Sequence, residues 1–181
     1  MSELSEVPEL PEPIPSRLHW LNSLPPDEAS RVFTSCCGSR KWADAMVRAR
    51  PFADFHAAVR KADETFDALT AADWNEAFAA HPKIGETQGH GEKQSQRWSQ
   101  QEQSAAAVSS SEISRRLQQR NEEYYSRFGY IFIICATGKP VEEILASLQE
   151  RMKNDPVTEL RIAASEQRKI TQLRLEKLMM I

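Results

Sequence analysis

Residues 70–85 read TAADWNEAFAAHPKIG, and they hold the start, one face and the end of a predicted helix. Thr70 and Asp73 have the spacing of a capping box, in which each side chain accepts a hydrogen bond from a backbone N–H at the helix start. The aromatic residues that follow share a face with His81, since positions three, four and seven apart lie on one side of a helix. Pro82 disfavours helical geometry at His81, so the helix is predicted to end there. We therefore expect an imidazole at the C-terminal end of an apolar helix face.

Helix signals of this kind recur along the chain and predict an all-α fold, a single helical-bundle domain over residues 16–181. Predicted helices open at Pro25, span 40–48 and 52–66, and begin again at Pro140 and Pro156, the last running to about Leu178. A further long helix carries an apolar face formed by Ile113, Leu117, Tyr124 and Phe128. Residues 130–136 alone resemble a strand, and they have no second strand to pair with. We expect them to form a short, buried, extended segment.

Composition separates an N-terminal tail from this domain. Residues 1–15 contain four Glu, four Pro and neither Lys nor Arg, which predicts a disordered, acidic, Pro-rich tail. The remaining residues carry 23 basic and 22 acidic side chains, so their charge gives no reason to expect a nucleic-acid partner. No run of 18 apolar residues is present, and no membrane-spanning helix is predicted. The odd number of cysteines, three, favours a reducing compartment.

His81 has two interpretations. As a functional group it would exchange protons. A helix C-terminus favours the imidazolium and burial opposes it, so we expect the pKa of His81 to lie near neutrality. As a structural group it would be a hydrogen-bonded core or cap histidine. His90 is a potential second metal ligand, but the chain offers no zinc-like spacing of His and Cys around the two residues. No metal site is predicted.

Two further features also leave two interpretations open. Ser99 and Glu102 have capping-box spacing, which favours a helix that starts at Ser99. Alternatively, these two residues and Gln103 form a polar cluster suited to a small ligand rich in amide-type groups. Arg174 interrupts an apolar face of the last helix. It either points inward to an acidic partner, in the protein or on a ligand, or it lies along the surface with its charge in solvent.

Four short motifs occur in a fixed order along the chain. They are HPKIG at 81–85, SQQEQ at 99–103, RFGYIFIICA at 127–136 and KITQLRL at 169–175. Together they resemble the 2-oxo-4-hydroxy-4-carboxy-5-ureidoimidazoline (OHCU) decarboxylase family, over about residues 16–180. The resemblance is greatest to the decarboxylase domain of plant allantoin synthase. Thr137 departs from the pattern, since many relatives carry an arginine there.

The resemblance implies an all-helical carboxy-lyase that converts OHCU to (S)-allantoin in urate degradation, without a cofactor. It implies His81 as the catalytic acid–base residue. By motif match it implies substrate contacts from Pro82, Ser99, Glu102, Gln103, Ile134, Cys135, Ala136 and Arg174. It also implies a homodimer and a functional link to a transthyretin-like hydroxyisourate hydrolase.

Location and two other functions are left open by the residues alone. The related pathway is peroxisomal in many eukaryotes and cytoplasmic in bacteria, so we expect one of these locations, although the C-terminus lacks a Ser-Lys-Leu signal.

The first alternative function is a non-enzymatic helical interaction module, in which the polar positions act as caps. The second is a different small-molecule lyase on the same fold.

Overall fold

Helices make up the regular structure of the described chain, which covers residues 16–84, 93–104 and 111–180 of a computed structural model. They are α1 (Arg17–Ser23), α2 (Pro26–Cys36), α3 (Arg40–Arg48), α4 (Phe55–Asp67), α5 (Ala71–Ala79), α6 (Lys93–Glu102), α7 (Ser111–Phe128), α8 (Val141–Arg151) and α9 (Pro156–Met180). These ranges contain no strand, and the predicted all-α fold is confirmed. None of these helices is long and apolar enough to cross a membrane. The predicted tail, residues 1–15, and His90 lie outside the described residues.

Most helix boundaries agree with the predicted ones, and the differences follow the capping residues. α3 matches the predicted residues 40–48. α4 begins three residues later than predicted, at Phe55, because the Asp54 side chain caps it. No prediction covers α1, a seven-residue helix capped by Ser16. Short helices of this kind depend on tertiary packing, which is why their sequence signal is weak.

The capping box predicted at the start of α5 is present. Thr70 Oγ1 accepts a hydrogen bond from Asp73 N at 3.4 Å, and Asp73 Oδ2 accepts one from Thr70 N at 2.8 Å. The helix ends at Ala79, so His81 follows closely, as Pro82 predicts. The cap at one end and the proline at the other therefore define where the imidazole lies.

α9 is the longest helix, and it packs against α1, α2, α4 and α5. Three of its polar residues, Gln167, Thr171 and Arg174, are spaced four and three apart, so they share one face. Each of them is at most 2% exposed. α9 thus brings three polar side chains into the interior at one place.

Residues 130–136 form the predicted extended segment, and it runs between two hydrophobic clusters. Ile133 packs in the larger cluster, which includes buried residues of α2, α3, α4, α5 and α9. Phe132 and Ile134 pack in the smaller cluster, formed mainly with α7 and α8. The alternation follows from extended geometry, in which successive side chains point to opposite sides.

Side chains bond to the backbone of this segment where a partner strand would otherwise do so. Arg151 Nη1 donates to Ile133 O at 2.7 Å, and Cys135 N donates to Glu166 Oε2 at 2.8 Å. Arg151 also forms an ion pair with the fully buried Glu159, with N–O distances of 2.6 and 2.8 Å. Buried backbone groups need such partners, so these contacts hold the segment in place.

The turn between α2 and α3 packs tightly on the end of α5. A Cβ atom at Gly38 would lie 2.4 Å from Ala80 Cβ, so only glycine fits at this approach. The preceding Cys36 and Cys37 are buried free thiols, and burial raises their pKa values to about 12 and about 11. The close contact fixes the residue immediately before His81.

Candidate active site

A cleft opens where the end of α5, the end of α6, the extended segment and α9 meet. Its empty volume is about 340 Å³, a figure that includes space open to solvent. Its lining contains both polar and apolar residues, namely His81, Pro82, Ile84, Ser99, Glu102, Gln103, Phe132, Ile133, Ile134, Ala136 and Ile170. The cleft is thus assembled from segments far apart in sequence.

The expected site residues lie in this lining, with the exception of Cys135 and Arg174. Cys135 lines a separate cavity together with Lys139 and Lys169. Ile134, its neighbour, lines both this cavity and the cleft. Arg174 lies behind the cleft wall, where it contacts other site residues.

His81 is held by a buried amide. Its Nε2 atom lies 2.8 Å from Gln167 Oε1. Burial and the positive charge of Arg174 lower the pKa of His81 to about 3, while the hydrogen bond to Gln167 acts in the opposite direction. The expected pKa near neutrality is therefore wrong for the ligand-free protein, because burial outweighs the helix C-terminus. The imidazole of the ligand-free protein is therefore neutral at physiological pH.

Arg174 places all of its N–H groups inside the protein. Nε and Nη2 donate to the two oxygens of Glu102, each at 3.0 Å. Nη2 also donates to Ser99 Oγ at 2.9 Å, and Nη1 donates to Ser95 Oγ at 3.1 Å and to Ser35 O at 3.3 Å. Only 2% of Arg174 is exposed, which excludes the surface interpretation. Its acidic partner lies within the protein.

Ser99 and Glu102 lie at the end of a helix and not at its start. α6 spans Lys93–Glu102, so both residues belong to its last turn. The capping-box interpretation is therefore wrong. Charge-assisted hydrogen bonds to Arg174 engage both side chains, and such bonds are stronger than those to a neutral backbone N–H. The end of α6 thus presents a nearly buried carboxylate and hydroxyl beside the cleft.

His81 and Glu102 are the ionisable side chains of the described cleft lining. A carboxylate offers about four acceptor positions, and the bidentate Arg174 contact takes up one edge of Glu102. Acceptor capacity is left for N–H groups of a ligand. Within residues 16–84, 93–104 and 111–180, no three His, Cys, Asp or Glu side chains are grouped to hold a metal ion.

The sequence predicts no role for Gln167 or for the apolar wall formed by Phe132, Ile133 and Ile170. Gln167 lies seven residues before Arg174, and two polar residues on one buried helix face are a signal that was available in the sequence. The apolar residues carry no such signal, because their pattern is the same in a cleft wall and in a core.

The family model described as OHCU decarboxylase matches residues 22–176. The Arabidopsis thaliana "Uric acid degradation bifunctional protein TTL" is 43% identical over 145 residues, which cover 79% of this chain and 45% of that protein. The "2-oxo-4-hydroxy-4-carboxy-5-ureidoimidazoline decarboxylase" of Amia calva is 33% identical over 135 residues, which cover 74% of this chain and 77% of that protein. The chain therefore spans less than half of the Arabidopsis relative.

Two solved structures share the fold. A crystal structure of OHCU decarboxylase in the presence of (S)-allantoin is 39% identical, with a TM-score of 0.73, and the match covers 82% of this chain and 97% of that one. A crystal structure of (S)-allantoin synthase has a TM-score of 0.67 at 19% identity, covering 91% and 54% of the two chains, and shows the fold alone. Because the family model matches most of its length and these relatives are similar to it, the chain belongs to the OHCU decarboxylase family.

Proposed function

We propose that this chain decarboxylates OHCU to (S)-allantoin in urate degradation, with His81 as the acid–base residue. The observation that carries the proposal is the arrangement of His81 and Glu102 in one cleft, a neutral imidazole beside a carboxylate with acceptor capacity to spare. Membership of the OHCU decarboxylase family supports the choice of substrate. The two features together favour an enzyme over an interaction module.

The decarboxylation of OHCU can proceed with protein side chains alone. The carboxylate leaves from a carbon that also bears a hydroxyl, and the adjacent carbon is part of an amidine-type C=N group. As the bond to the carboxylate breaks, its electrons form a C=C bond, and the C=N electron pair moves to nitrogen, which takes a proton. Carbon dioxide and an enol result. The enol then loses its hydroxyl proton, and the adjacent carbon gains one, which gives the product.

His81 starts neutral, and it can take up the hydroxyl proton once the negative charge of a bound substrate raises the pKa of the imidazole toward the working pH. A neutral imidazole accepts the hydroxyl proton and then delivers a proton to the adjacent carbon. Delivery from one wall of the cleft reaches one face of that carbon, which would set the (S) configuration. General acid–base groups contribute about 10²–10⁴-fold to rate.

Glu102 and Gln103 would bind the ring and ureido groups of OHCU, with the Glu102 carboxylate accepting from N–H groups. Arg174 would act through Glu102, whose carboxylate it holds at both oxygens. Its charge also lies close enough to His81 to lower the pKa of the imidazole.

The proposal extends to assembly and location. The resemblance supports a homodimer that acts after a transthyretin-like hydroxyisourate hydrolase, in peroxisomes if the source is a eukaryote and otherwise in the cytoplasm. The bifunctional uric acid degradation relative from Arabidopsis supports the link to the preceding reaction. Sedimentation of the purified chain at several concentrations tests the dimer, and a monomer at every concentration would contradict it.

The test of function is the rate at which freshly generated OHCU becomes (S)-allantoin, followed by ultraviolet absorbance and circular dichroism. We expect the protein to accelerate the reaction and His81→Asn to remove about 10²–10⁴-fold of the turnover. His56→Asn is the matched control, because His56 is exposed on α4 and lies outside the cleft lining. No acceleration by the wild-type protein would contradict the decarboxylase assignment. Near-normal kcat in a folded His81→Asn would contradict the role of His81.

A further inference from the structure

The geometry points to Gln167 as a positioning residue that is itself oriented by Thr171. We propose that this pair holds His81 as the tautomer protonated at Nε2, so that Nδ1 is the atom that exchanges protons with the substrate. The proposal rests on the proposed function for its catalytic consequence, but the tautomer is a property of the ligand-free protein.

The orientation of the Gln167 amide follows from Thr171. The Thr171 hydroxyl donates its single hydrogen to the backbone O of Gln167, with an O–O distance of 2.9 Å. The same Thr171 Oγ1 lies 3.2 Å from Gln167 Nε2, so in this contact it accepts and the amide NH₂ donates. An amide with its NH₂ group toward Thr171 has its carbonyl oxygen toward His81. One hydroxyl thus determines which end of the amide meets the imidazole.

The orientation of the amide then determines the protonation of the ring. The Gln167 Oε1 atom can only accept a hydrogen bond, and it lies 2.8 Å from His81 Nε2. A neutral imidazole carries one N–H, which must therefore be at Nε2, while Nδ1 keeps its lone pair. The partner of one ring nitrogen selects the chemistry available at the other.

Burial makes the wrong arrangement costly. Gln167 is fully buried and Thr171 is 2% exposed, so solvent is not at hand to replace a lost partner. A reversed amide keeps all its partners only if the Thr171 hydroxyl turns from the backbone O of Gln167 to the amide oxygen and the ring moves its proton to Nδ1. Reversal without both changes leaves a buried group unpaired, which destabilises by about 1–3 kcal/mol. The hydrogen bonds as they stand in the structure are those of the Nε2-protonated tautomer.

The first experiment measures the tautomer directly, without substrate. Long-range ¹H–¹⁵N correlation spectra of ¹⁵N-histidine-labelled protein distinguish protonated from unprotonated ring nitrogens, and His81→Asn assigns the signal. We expect Nε2 to be protonated and Nδ1 unprotonated from pH 5 to 8. An Nδ1-protonated ring, or a rapidly averaged mixture in the wild-type protein, would overturn the proposal.

The second experiment asks whether the tautomer matters for turnover. Thr171→Val removes the hydroxyl that orients Gln167, and Thr171→Ser restores it. We expect kcat to fall at least about 10-fold in Thr171→Val, as part of the 10²–10⁴-fold that an acid–base residue contributes, and to recover in Thr171→Ser. KM should change less than kcat. Equal kcat in folded Thr171→Val and wild type would contradict the positioning role.

Gln167→Glu and Gln172→Leu complete the set. A carboxylate at 167 still accepts from Nε2, but its charge favours the imidazolium, so the acidic limb of the kcat/KM profile should move to higher pH. Gln172 lies on the same helix and bonds Asp63, outside the cleft lining, so Gln172→Leu should leave both the profile and the tautomer unchanged. An unchanged profile in Gln167→Glu would count against the proposal.

The two proposals fail in different ways. If the wild-type protein shows the Nε2 tautomer but does not act on OHCU, the proposed function is wrong and the tautomer assignment stands. If it acts on OHCU with an Nδ1-protonated His81, the function stands and the positioning role is wrong.

Discussion

The protein contains two buried arginine–glutamate pairs that look alike as pairs and differ in their surroundings. Arg151 binds Glu159 beneath the extended segment, and Arg174 binds Glu102 beside the cleft. Arginine and glutamate are each at most 8% exposed in both pairs. The difference lies in what else each carboxylate contacts.

The Glu159 carboxylate is surrounded by donors. It accepts from Arg151 and from Tyr124 at one oxygen and from Asn154 at the other, and no part of the residue is exposed. Glu102 is bound along one edge by Arg174, has Lys177 Nζ at 3.9 Å from Oε1, and otherwise lies in the cleft wall. A carboxylate with every position taken stabilises structure, whereas one with positions left over is available to a ligand. The pairing alone therefore does not distinguish a structural ion pair from a functional one.

Arg151→Met should have the largest effect on stability. It leaves Glu159 charged and buried without its cation, and we expect the free energy of unfolding to fall by about 3–5 kcal/mol, measured with urea. Lys153→Met is the control, since the Lys153–Glu150 pair is exposed, and it should change stability by less than about 0.5 kcal/mol. Similar values for the two variants would contradict the structural role of the buried pair.

Arg174→Met should cost less stability than Arg151→Met. Glu102 lies in the cleft wall, where water can reach the carboxylate once the guanidinium is gone, so we expect a loss of about 2 kcal/mol in the same urea titration. Activity of the folded variant should also fall, because the orientation of Glu102 is lost. A stability loss equal to that of Arg151→Met would remove the distinction between the pairs.

Glu102→Gln should lower kcat/KM by about 10-fold or more, because a charge-assisted hydrogen bond to a ligand is worth about 1.5–3 kcal/mol. Glu159→Gln is the matched control, with the same change in the other pair. It should lower the melting temperature while the kcat/KM of the folded fraction stays near the wild-type value. Normal kinetics in Glu102→Gln would assign Glu102 to structure.

The smallest effect concerns pH. Arg174 contributes to the low pKa of His81, so Arg174→Met should raise that pKa toward 6.5, as followed by NMR titration of the ring protons. Arg168→Met is the control, because Arg168 lies on the same helix but pairs with Asp63 and Asp67. An unchanged His81 titration in Arg174→Met would show that its charge does not reach the imidazole.

The same low pKa makes stability depend on pH. Between pH 6.5 and about 3 the imidazole of the unfolded chain binds a proton that the folded protein does not, so this group destabilises the fold as pH falls through that range. The melting temperature should therefore decrease less steeply with falling pH in His81→Asn than in the wild-type protein. Equal slopes would contradict the low pKa.

Local signals explain what the sequence could predict. The Thr70–Asp73 capping box and Pro82 depend only on neighbouring residues, and they placed both α5 and His81 correctly. The motifs around His81 and at 99–103 led to the family and to most of the cleft lining. Contacts within a few residues are encoded locally and are therefore readable without a structure.

Long-range contacts explain what the sequence could not predict. Ser99 and Glu102 have the spacing of a helix start, but both belong to the last turn of α6, where they contact Arg174, more than 70 residues away. The pKa of His81 was misjudged for the same reason, because burial and Arg174 both come from tertiary packing. Spacing within one segment carries no information about the charge that another segment brings.

The three cysteines differ in reactivity as a consequence of their burial. Burial raises the pKa values of all three thiols, but Cys36 and Cys37 are fully buried, whereas Cys135 is partly exposed, next to two residues that line the cleft. Thiolate is the species that attacks a maleimide, so the folded protein should be labelled at Cys135 alone and at all three positions after unfolding. The natural chain therefore provides a single attachment point for a fluorescent reporter, beside the site whose occupancy one would wish to follow.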